Sequence, residues 1–410
     1  MYACKDYIWS FSIHQRRFLC GSIKYRRGEV SCPPSLLYPI VSPVSPGLSQ
    51  KSYYLVFIYN QCRLIYCEVP RITKMASNPQ QNLLDVLRSH SLVDCDTFDV
   101  EVPKKLAPFE DCTSNQAIAY HELIRVDGDG KALHAQLIQD AVDFASSKAS
   151  AYPEATVTEL AVEVMMVKLA LRIVPYLKGF SHIQTNPKYA YNKQKTIENG
   201  RRIVSIFLEL DPTYDNRRVC IKIPSTWEGM QACRELEKEG IATLATTMFC
   251  MEQAALANHV GCTYIAPYIN ELRVHFDANY VDQHKAFDFC GAAQRYYEKI
   301  GSATKVLPAS LTSIQEVMKL AGVHHITVAP HLLTKLAETP ANPWEGETGT
   351  VIQDKTADAT VGNYDDILED ESAWRLAFTR SQEGKAEVKN IQAVNIFCEK
   401  QDGLEQLVRR

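Results

Sequence analysis

The stretch Val219-Cys-Ile-Lys-Ile-Pro-Ser-Thr-Trp-Glu-Gly229 places one lysine, Lys222, inside a short run that is otherwise apolar. Such a run predicts a buried strand. Alternation along the strand sends Lys222 to one face and the isoleucines on either side of it to the other, so its ammonium points toward whatever that face encloses. Desolvation lowers the pKa of a lysine and frees its amine lone pair, which a Schiff-base nucleophile needs near neutral pH.

A lysine on a solvated edge strand is the simpler alternative, and the residues that follow the run argue against it. Ser225-Thr-Trp-Glu228 has the Ser-x-x-Glu form of a capping box, a pattern that opens helices. A helical pattern continues from there to Gly240, a residue type that commonly ends helices. A strand, a tight turn and a helix together form the repeating unit of α/β proteins.

Short apolar runs alternate with helical patterns along the chain from residue 89. The runs span 91–96, 108–114, 178–185, 218–224, 242–249, 263–269, 304–310 and 325–330. Helices are predicted at 133–148, 157–176, 193–210, 227–240, 250–260, 286–300, 312–321 and 331–338. Eight such units predict an α/β fold, a (β/α)8 TIM barrel, with a loop over 339–370 and an extra C-terminal helical segment over 371–410. A doubly wound open sheet is the competitor, but no Gly-x-Gly-x-x-Gly follows the first run.

Residues 1–74 differ from the rest of the chain in charge and proline content. They hold ten Lys and Arg against three Asp and Glu, which leaves 34 basic and 45 acidic residues on 75–410. We expect 1–74 to be a basic, disordered extension outside the fold, and 75–410 to form the barrel domain with Met75 as its working start. An organelle presequence is the weaker alternative, because no amphipathic arginine helix stands out.

The amino-acid composition limits the classes of partner that the chain is expected to bind. The acidic body argues against nucleic acid, and the longest apolar stretch of the extension, Tyr53-Tyr-Leu-Val-Phe-Ile-Tyr59, is too short to span a membrane. The 13 cysteines form no Cys-x-x-Cys and no His-Glu-x-x-His occurs, so neither a zinc site nor a disulfide framework is indicated. Reduced thiols and a cytoplasmic location follow as the default. Asp127-Gly-Asp-Gly130 resembles the start of a calcium loop, but Lys131 replaces the third ligand and we predict a turn.

Polar residues stand at the carboxyl ends of the predicted strands, where barrel enzymes place their chemistry. Each alone has a structural alternative, since asparagine and serine often cap helices there and Asp96 could pair with Lys222. Together they supply a nucleophilic amine, a carboxylate for proton transfer, and groups that can hold a water. No cluster of metal ligands accompanies them, so no metal or cofactor is predicted. These residues are Asp96, Thr113, Ser114, Asn115, Gln184, Asn186, Lys222, Thr246, Tyr268 and Ser310.

From about residue 90 onward, several motifs together carry a family resemblance. They are Asp96-Thr-Phe-Asp99, Asp111-Cys-Thr-Ser-Asn115, the strand and helix from Val219 to Ile241, Ile265-Ala-Pro-Tyr268, Pro308-Ala-Ser310 and the stretch from Leu320 to Leu333. These motifs resemble those of transaldolases. The resemblance implies a barrel with Lys222 as the Schiff-base lysine and Asp96 as the acid/base on the substrate hydroxyl. It further implies that Thr113 and Asn115 contact the donor and that Thr246 holds the catalytic water.

Four positions depart from typical transaldolases. Gln184 replaces a glutamate, Leu244 an asparagine, Ala266 a serine and Tyr268 a phenylalanine. All four replacements resemble the fructose-6-phosphate aldolase branch of the same superfamily, in which tyrosine, glutamine and threonine handle the water. Because a glutamine cannot act as a general base, proton transfer through water would rely on Tyr268.

The phosphate-binding residues also depart from the family pattern. The two family arginines that hold the sugar phosphate correspond to Glu271 and Thr312, which leaves Ser310 alone of that site. Losing two guanidinium forks removes the best phosphate geometry, and a carboxylate at Glu271 would repel the phosphate. Arg273 is the candidate substitute for substrate binding, although a solvated surface role is the simpler expectation.

The resemblance therefore predicts a transaldolase, a transferase of carbohydrate metabolism that moves a dihydroxyacetone unit from a ketose or its phosphate to an aldehyde acceptor. The pentose phosphate pathway would be its setting. Two alternatives stay open: an aldolase or specialised biosynthetic enzyme for an unphosphorylated carbonyl substrate, and a catalytically silent barrel used for binding. The expected partner is a small-molecule sugar or sugar phosphate, with a homodimer left open and neither nucleic acid nor membrane.

Overall fold

The computed structural model describes residues 81–354 and 362–409, together with three short strands nearer the N-terminus. The chain divides into two compact units, Met1–Asn78 and Pro79–Arg410. In the first unit, the backbones of β1 (Leu37–Pro39), β2 (Tyr53–Val56) and β3 (Tyr66–Glu68) pair as an antiparallel sheet in that order. The other residues of 1–80 lie outside the described part of the chain, so the expected extension over 1–74 stays a prediction.

The second unit alternates strands and helices. Its strands are β4 (Leu92–Asp96), β5 (Cys112–Thr113), β6 (Ser181–Gln184), β7 (Val219–Pro224), β8 (Ala242–Met248), β9 (Tyr264–Pro267), β10 (Lys305–Val306) and β11 (His325–Val328). Its helices are α1 (Leu83–His90), α2 (Glu101–Leu106), α3 (Gln116–Leu123), α4 (Ala135–Lys148), α5 (Val157–Ile173), α6 (Lys193–Leu210), α7 (Trp227–Lys238), α8 (Met251–Val260), α9 (Phe287–Ile300), α10 (Ile314–Lys319), α11 (Pro330–Glu338), α12 (Thr350–Gln353), α13 (Glu371–Arg380) and α14 (Lys385–Val408).

The eight strands of this unit form one parallel sheet that closes on itself. Their order is β10-β9-β8-β7-β6-β5-β4-β11, so the last strand pairs with the first. On the other side of β11, the backbone N–H of Thr327 donates to the carbonyl of Pro308, just after β10, at 3.3 Å. With α13 and α14 at the C-terminal end, this architecture confirms the predicted (β/α)8 TIM barrel and its extra helical segment.

The predicted runs and helices agree closely with the observed elements. Each of the eight apolar runs contains one barrel strand, and the predicted helix 193–210 coincides with α6. The sequence interpretation did not place α1, α2 and α3, and α12 lies within the predicted loop over 339–370. The predicted turn at residues 127–131 is also confirmed. The Asp127 carboxylate accepts the backbone N–H groups of Asp129 and Lys131 there.

The turn between β7 and α7 fixes the direction of the strand that carries Lys222. All six residues of β7 are buried. The helix cap is Thr226, whose hydroxyl accepts the N–H of Gly229 at 2.9 Å, and not the predicted Ser225. Ser225 instead donates to the Thr246 carbonyl at 2.6 Å and ties the end of β7 to β8. Only glycine fits at 229, because a Cβ there would lie 2.2 Å from the Pro224 carbonyl oxygen.

Among the residues described, no helix combines the length and apolar character that crossing a bilayer requires.

We propose that residues 1–74 are dispensable for folding of the barrel. A chain that starts at Met75 should unfold in one cooperative thermal transition and keep the activity of the full chain. A matched truncation that starts at Ser91 removes α1, whose Leu83 and Leu87 are fully buried, and should lose about 1.5–3 kcal/mol per leucine. Loss of cooperative unfolding in the chain from Met75 would show instead that the extension belongs to the core.

Candidate active site

The carboxyl ends of the barrel strands surround a cavity of about 400 Å3. Parallel strands that run side by side around a barrel bring their carboxyl ends to the same rim, so residues far apart in sequence meet there. Five of the predicted site residues line this cavity: Asp96, Asn115, Lys222, Tyr268 and Ser310.

Lys222 lies in the wall of this cavity and is only 1% exposed. Its Nζ is 6.0 Å from the centre of the Tyr268 ring. Within the described part of the chain, this ammonium forms no hydrogen bond and no ion pair. Its strand neighbours in register are Gln184 on β6 and Leu244 on β8. The lysine is therefore held by packing, and its nitrogen faces a space that a small molecule can enter.

The Asp96 carboxylate is oriented by a short chain of hydroxyl groups. The Thr113 hydroxyl donates to Asp96 Oδ1 at 2.6 Å, and the Thr327 hydroxyl lies 2.6 Å from the same Thr113 oxygen. Because Thr113 has one hydroxyl proton, Thr327 acts as the donor to Thr113. Asp96 and Lys222 line the same cavity without forming an ion pair, which removes the structural alternative of a buried Asp96–Lys222 pair.

Two further predicted residues lie next to Lys222 and Tyr268. The Thr246 hydroxyl donates to the Tyr268 hydroxyl at 3.3 Å. Gln184 donates its amide N–H to the Gln116 side-chain oxygen at 2.8 Å, while its own amide oxygen is buried without a partner among the described residues. That oxygen is a free acceptor for a water or a substrate hydroxyl.

Asn115 has a structural task as well as a place in the cavity wall. Its side-chain oxygen accepts the N–H of Ile118 at 3.0 Å and caps the first turn of α3. The cap leaves the amide NH2 group as the donor that can reach a substrate oxygen.

The predicted phosphate end of the site holds His275 in place of an arginine. His275 lines the cavity, and its Nε2 lies 2.9 Å from the Ser310 hydroxyl. Ser310 has a left-handed backbone, φ +60°, which is unusual for a residue with a side chain. Arg273 lies outside the residues that line the cavity, is half exposed and pairs with Asp277 at 2.7 Å. Thus Arg273 and Ser310 are not brought together, whereas His275 and Ser310 are.

The two residues at the family arginine positions also lie outside the cavity wall. Glu271 is buried, and its backbone N–H donates to Asp282 at 2.8 Å. Burial and the neighbouring Asp282 charge raise the pKa of Glu271. The backbone N–H of Thr312 donates to Glu316 at 2.8 Å. Glu271 therefore does not line this cavity, and its carboxylate would not directly contact a phosphate bound there.

The Arg125 charge in the cavity wall is balanced by neighbouring carboxylates, and His275 adds little further positive charge. Desolvation lowers the pKa of His275, while Asp96 acts in the opposite direction. Arg125 also lines the cavity, but its guanidinium already pairs with Asp99 at 3.1 Å and with Glu122 at 2.9 Å. At neutral pH the cavity thus offers His275 as a hydrogen-bonding group with little positive charge.

The C-terminal helix α14 contributes to the site from outside the barrel. Phe397 lines the cavity, and the Asn390 side chain donates to the carbonyl and hydroxyl oxygens of Thr247 at 2.8 and 3.0 Å. Thr247, at the end of β8, has a left-handed backbone with φ +55°. The helix therefore holds a strained strand end and covers part of the cavity.

The sequence interpretation did not single out several residues of the site, among them Gln116, His275, Thr327 and Phe397. Thr327 had a usable signal, since it lies in the eighth apolar run within a quoted motif. Gln116 directly follows the predicted site residue Asn115. His275 and Phe397 had no local signal, because a loop path and a helix docked from the C-terminal segment bring them to the cavity.

The cavity at the carboxyl ends of the strands brings together an amine, a carboxylate and several hydroxyl groups. In (β/α)8 barrels, such an arrangement is typical of an enzyme. The transaldolase/fructose-6-phosphate aldolase family model matches residues 93–407, and the chain belongs to that family. Its function is of the transaldolase type, as the sequence predicts.

Individual relatives agree with the family assignment. The chain is 30% identical to transaldolases of Haemophilus ducreyi over 263 residues and of Glaesserella parasuis over 266 residues, which is 63% of this chain and 80% and 81% of theirs. It is also 30% identical over 268 residues to transaldolase A of Pasteurella multocida, with 63% of this chain and 80% of the relative covered.

Proposed function

We propose that the chain transfers a dihydroxyacetone unit from a ketose to an aldehyde acceptor through a Schiff base on Lys222. The observation that carries the proposal is the position of Lys222, which is buried at the cavity wall and pairs with no carboxylate among residues 81–354 and 362–409. The lone pair of a lysine amine is the nucleophile that forms a Schiff base, and at this position it faces the cavity that a ketose would enter.

The first stage of the proposed cycle forms the imine. The Lys222 amine attacks the ketose carbonyl carbon, and the resulting carbinolamine loses water to give a protonated imine. Tyr268 and Thr246 are proposed to hold this water, and the Tyr268 hydroxyl to pass protons through it. The unpartnered Gln184 oxygen is an acceptor that can fix the orientation of the same water.

The second stage breaks the carbon–carbon bond. Asp96 takes the proton from the hydroxyl of the carbon that becomes the aldehyde, and the bonding electrons move into the protonated imine to give an enamine. Thr113 and Thr327 hold the carboxylate in position, while Asn115 is proposed to bind the donor. The departing aldehyde is replaced by the acceptor, which the enamine attacks in the reverse sequence. Hydrolysis of the final imine releases the new ketose.

Borohydride trapping tests this function directly. Borohydride reduces the protonated imine to a stable secondary amine, so incubation with dihydroxyacetone, fructose or fructose 6-phosphate should add the donor fragment to one peptide. Mass spectrometry of the digest should locate the label on the peptide that contains Lys222. A parallel reaction with an aldehyde acceptor should yield a new ketose, whereas release of free dihydroxyacetone in its presence would indicate an aldolase.

We further propose that a phosphate on the ketose is helpful but not essential. Ser310 and a largely neutral His275 can supply neutral hydrogen bonds, each of which contributes about 0.5–1.5 kcal/mol. Wild-type kcat/KM for fructose 6-phosphate should therefore exceed that for fructose by roughly ten- to a hundredfold. The ratio should rise as pH falls through the lowered pKa of His275, because the imidazolium then adds a charge.

Two matched variants test which residue causes the preference for the phosphorylated ketose. His275→Ala should reduce the kcat/KM ratio by about three- to tenfold, whereas Arg273→Ala, whose side chain pairs with Asp277, should leave the ratio unchanged. A preference for the phosphate above about a thousandfold, or one that depends on Arg273, would contradict the assignment.

The setting proposed for the reaction is carbohydrate metabolism in the cytoplasm, as in the pentose phosphate pathway. The eight cysteines within the described residues are free thiols, which supports a reducing compartment.

A further inference from the structure

A second polar cluster lies inside the barrel, one layer away from the proposed active site. Asp94, Asp111, His182 and His325 each precede, by two positions, a residue of the active-site layer, namely Asp96, Thr113, Gln184 and Thr327. Residues two apart on a strand share a face, so these four also point into the barrel, roughly 6.6 Å nearer the amino ends of the strands. All four are buried, and the cluster plays no part in the proposed cycle.

Each carboxylate of the cluster accepts a backbone N–H and lies close to one imidazole nitrogen. Asp94 Oδ1 accepts the N–H of Asp111 at 2.9 Å, and its Oδ1 and Oδ2 lie 3.3 and 3.1 Å from His325 Nδ1. Asp111 Oδ1 accepts the N–H of Phe180 at 2.6 Å, and its Oδ2 lies 4.0 Å from the same His325 nitrogen. Both carboxylates thus converge on one imidazole nitrogen.

His182 supports this arrangement from the side. Its Nε2 lies 2.9 Å from Asp111 Oδ2, while its Nδ1 is buried without a partner among the described residues. Carboxylates that bind metals are commonly held by such outer hydrogen bonds.

We propose that Asp94, Asp111 and His325 bind one divalent transition-metal ion, with Zn2+ as the best fit. Their ligand atoms all lie within 4.8 Å of one another. Zn2+ binds imidazole nitrogen and carboxylate oxygen at about 2.0–2.2 Å, so a tetrahedral site separates neighbouring ligand atoms by roughly 3.4 Å. The distances of 3.1 and 4.0 Å from His325 Nδ1 to the two carboxylates bracket that value.

The position of the ion suggests a structural effect. Asp94 and His325 belong to β4 and β11, the first and last strands of the barrel, which pair at the seam where the sheet closes. An ion held there would link these strands to Asp111, just before β5, and binding to the folded chain alone would raise the thermal midpoint. The ligands are 17 and 214 residues apart in sequence, so no spacing motif reveals them.

Titration of the full chain tests the site. After dialysis against a chelator, wild-type protein should bind one equivalent of Zn2+ by calorimetry and unfold at a higher temperature with it. Asp94→Asn and His325→Gln should each weaken binding by more than about 100-fold, and His182→Gln by about 10–100-fold as an outer partner. His134→Gln is the matched control, because His134 is another buried histidine that lies 2.9 Å from the Glu122 carboxylate. No second carboxylate of the described residues forms an ion pair with His134, so this variant should bind Zn2+ as the wild type does.

Cobalt separates this site from adventitious thiol binding. Co2+ in place of Zn2+ should give the visible absorption of a low-coordinate N/O site without a thiolate charge-transfer band, and the absorption should disappear in Asp94→Asn. Absence of binding by the wild type would overturn the proposal, whether or not any variant folds. Binding that is thiolate-based, or that survives in Asp94→Asn and His325→Gln, would overturn it as well and leave two hydrogen-bonded Asp–His pairs.

Discussion

Lys222→Arg is expected to abolish borohydride-dependent labelling by ketoses and to lower kcat/KM by roughly 10⁴-fold or more. A guanidinium keeps the positive charge but stays protonated at any accessible pH, so it cannot supply the lone pair that forms the imine. Labelling is measured by mass spectrometry after reduction in the presence of dihydroxyacetone, and turnover by the formation of the new ketose.

Two further variants separate chemistry from folding in this test. Arginine is larger than lysine, and overpacking at this tightly packed position would lower the free energy of unfolding by about 1–3 kcal/mol. Lys222→Met avoids this cost because methionine is an uncharged side chain of similar length. Lys389→Arg is the matched control, because Lys389 is also buried but is already paired with Asp282 at 2.8 Å. Labelling should persist in Lys389→Arg and vanish in both Lys222 variants. Labelling that survives in folded Lys222→Met would reject Lys222 as the nucleophile.

The barrel was predictable because its strands are short apolar runs separated by polar helices. Parallel barrel strands are buried on both faces, so they stand out from amphipathic helices without any knowledge of the fold. Helix α3 was harder, because its buried residues include Gln116 and Glu122 as well as apolar ones and no single apolar stripe marks it. Helix α1 depends on a cap at Asn82, close to the boundary with the first unit.

The site was predictable only where strand ends determine it. Residues such as Lys222 and Asp96 meet because parallel strands finish at one rim, which the order of the runs already implies. The order of the strands did not predict whether Arg273 or His275 lines the cavity. Both lie in a short 3-10 helix, Leu272–His275, in which residues three apart share a face, so His275 lines the cavity together with Leu272 while Arg273 pairs with Asp277.

Asp96→Asn should lower kcat by about 10²–10⁴-fold while borohydride labelling by dihydroxyacetone persists. Imine formation with dihydroxyacetone breaks no carbon–carbon bond, so it does not need the carboxylate that takes the hydroxyl proton. Asparagine has nearly the same shape and can still accept the Thr113 hydroxyl at the position of Oδ1, so the barrel should remain intact. The measurements are labelling stoichiometry, turnover with a ketose and an aldehyde, and the thermal midpoint.

Asp99→Asn is the matched control for a general effect of charge on the cavity. Asp99 also lines it, three residues further along the chain, but its carboxylate pairs with Arg125 at 3.1 Å. Removing that charge perturbs the electrostatics of the entrance without removing an acid/base group, so its effect on kcat should be less than about tenfold. Equal losses in the two variants would mean that Asp96 acts through charge alone. Loss of labelling in Asp96→Asn would mean that the carboxylate is needed before the carbon–carbon bond breaks, and the order of steps proposed for the cycle would then be wrong.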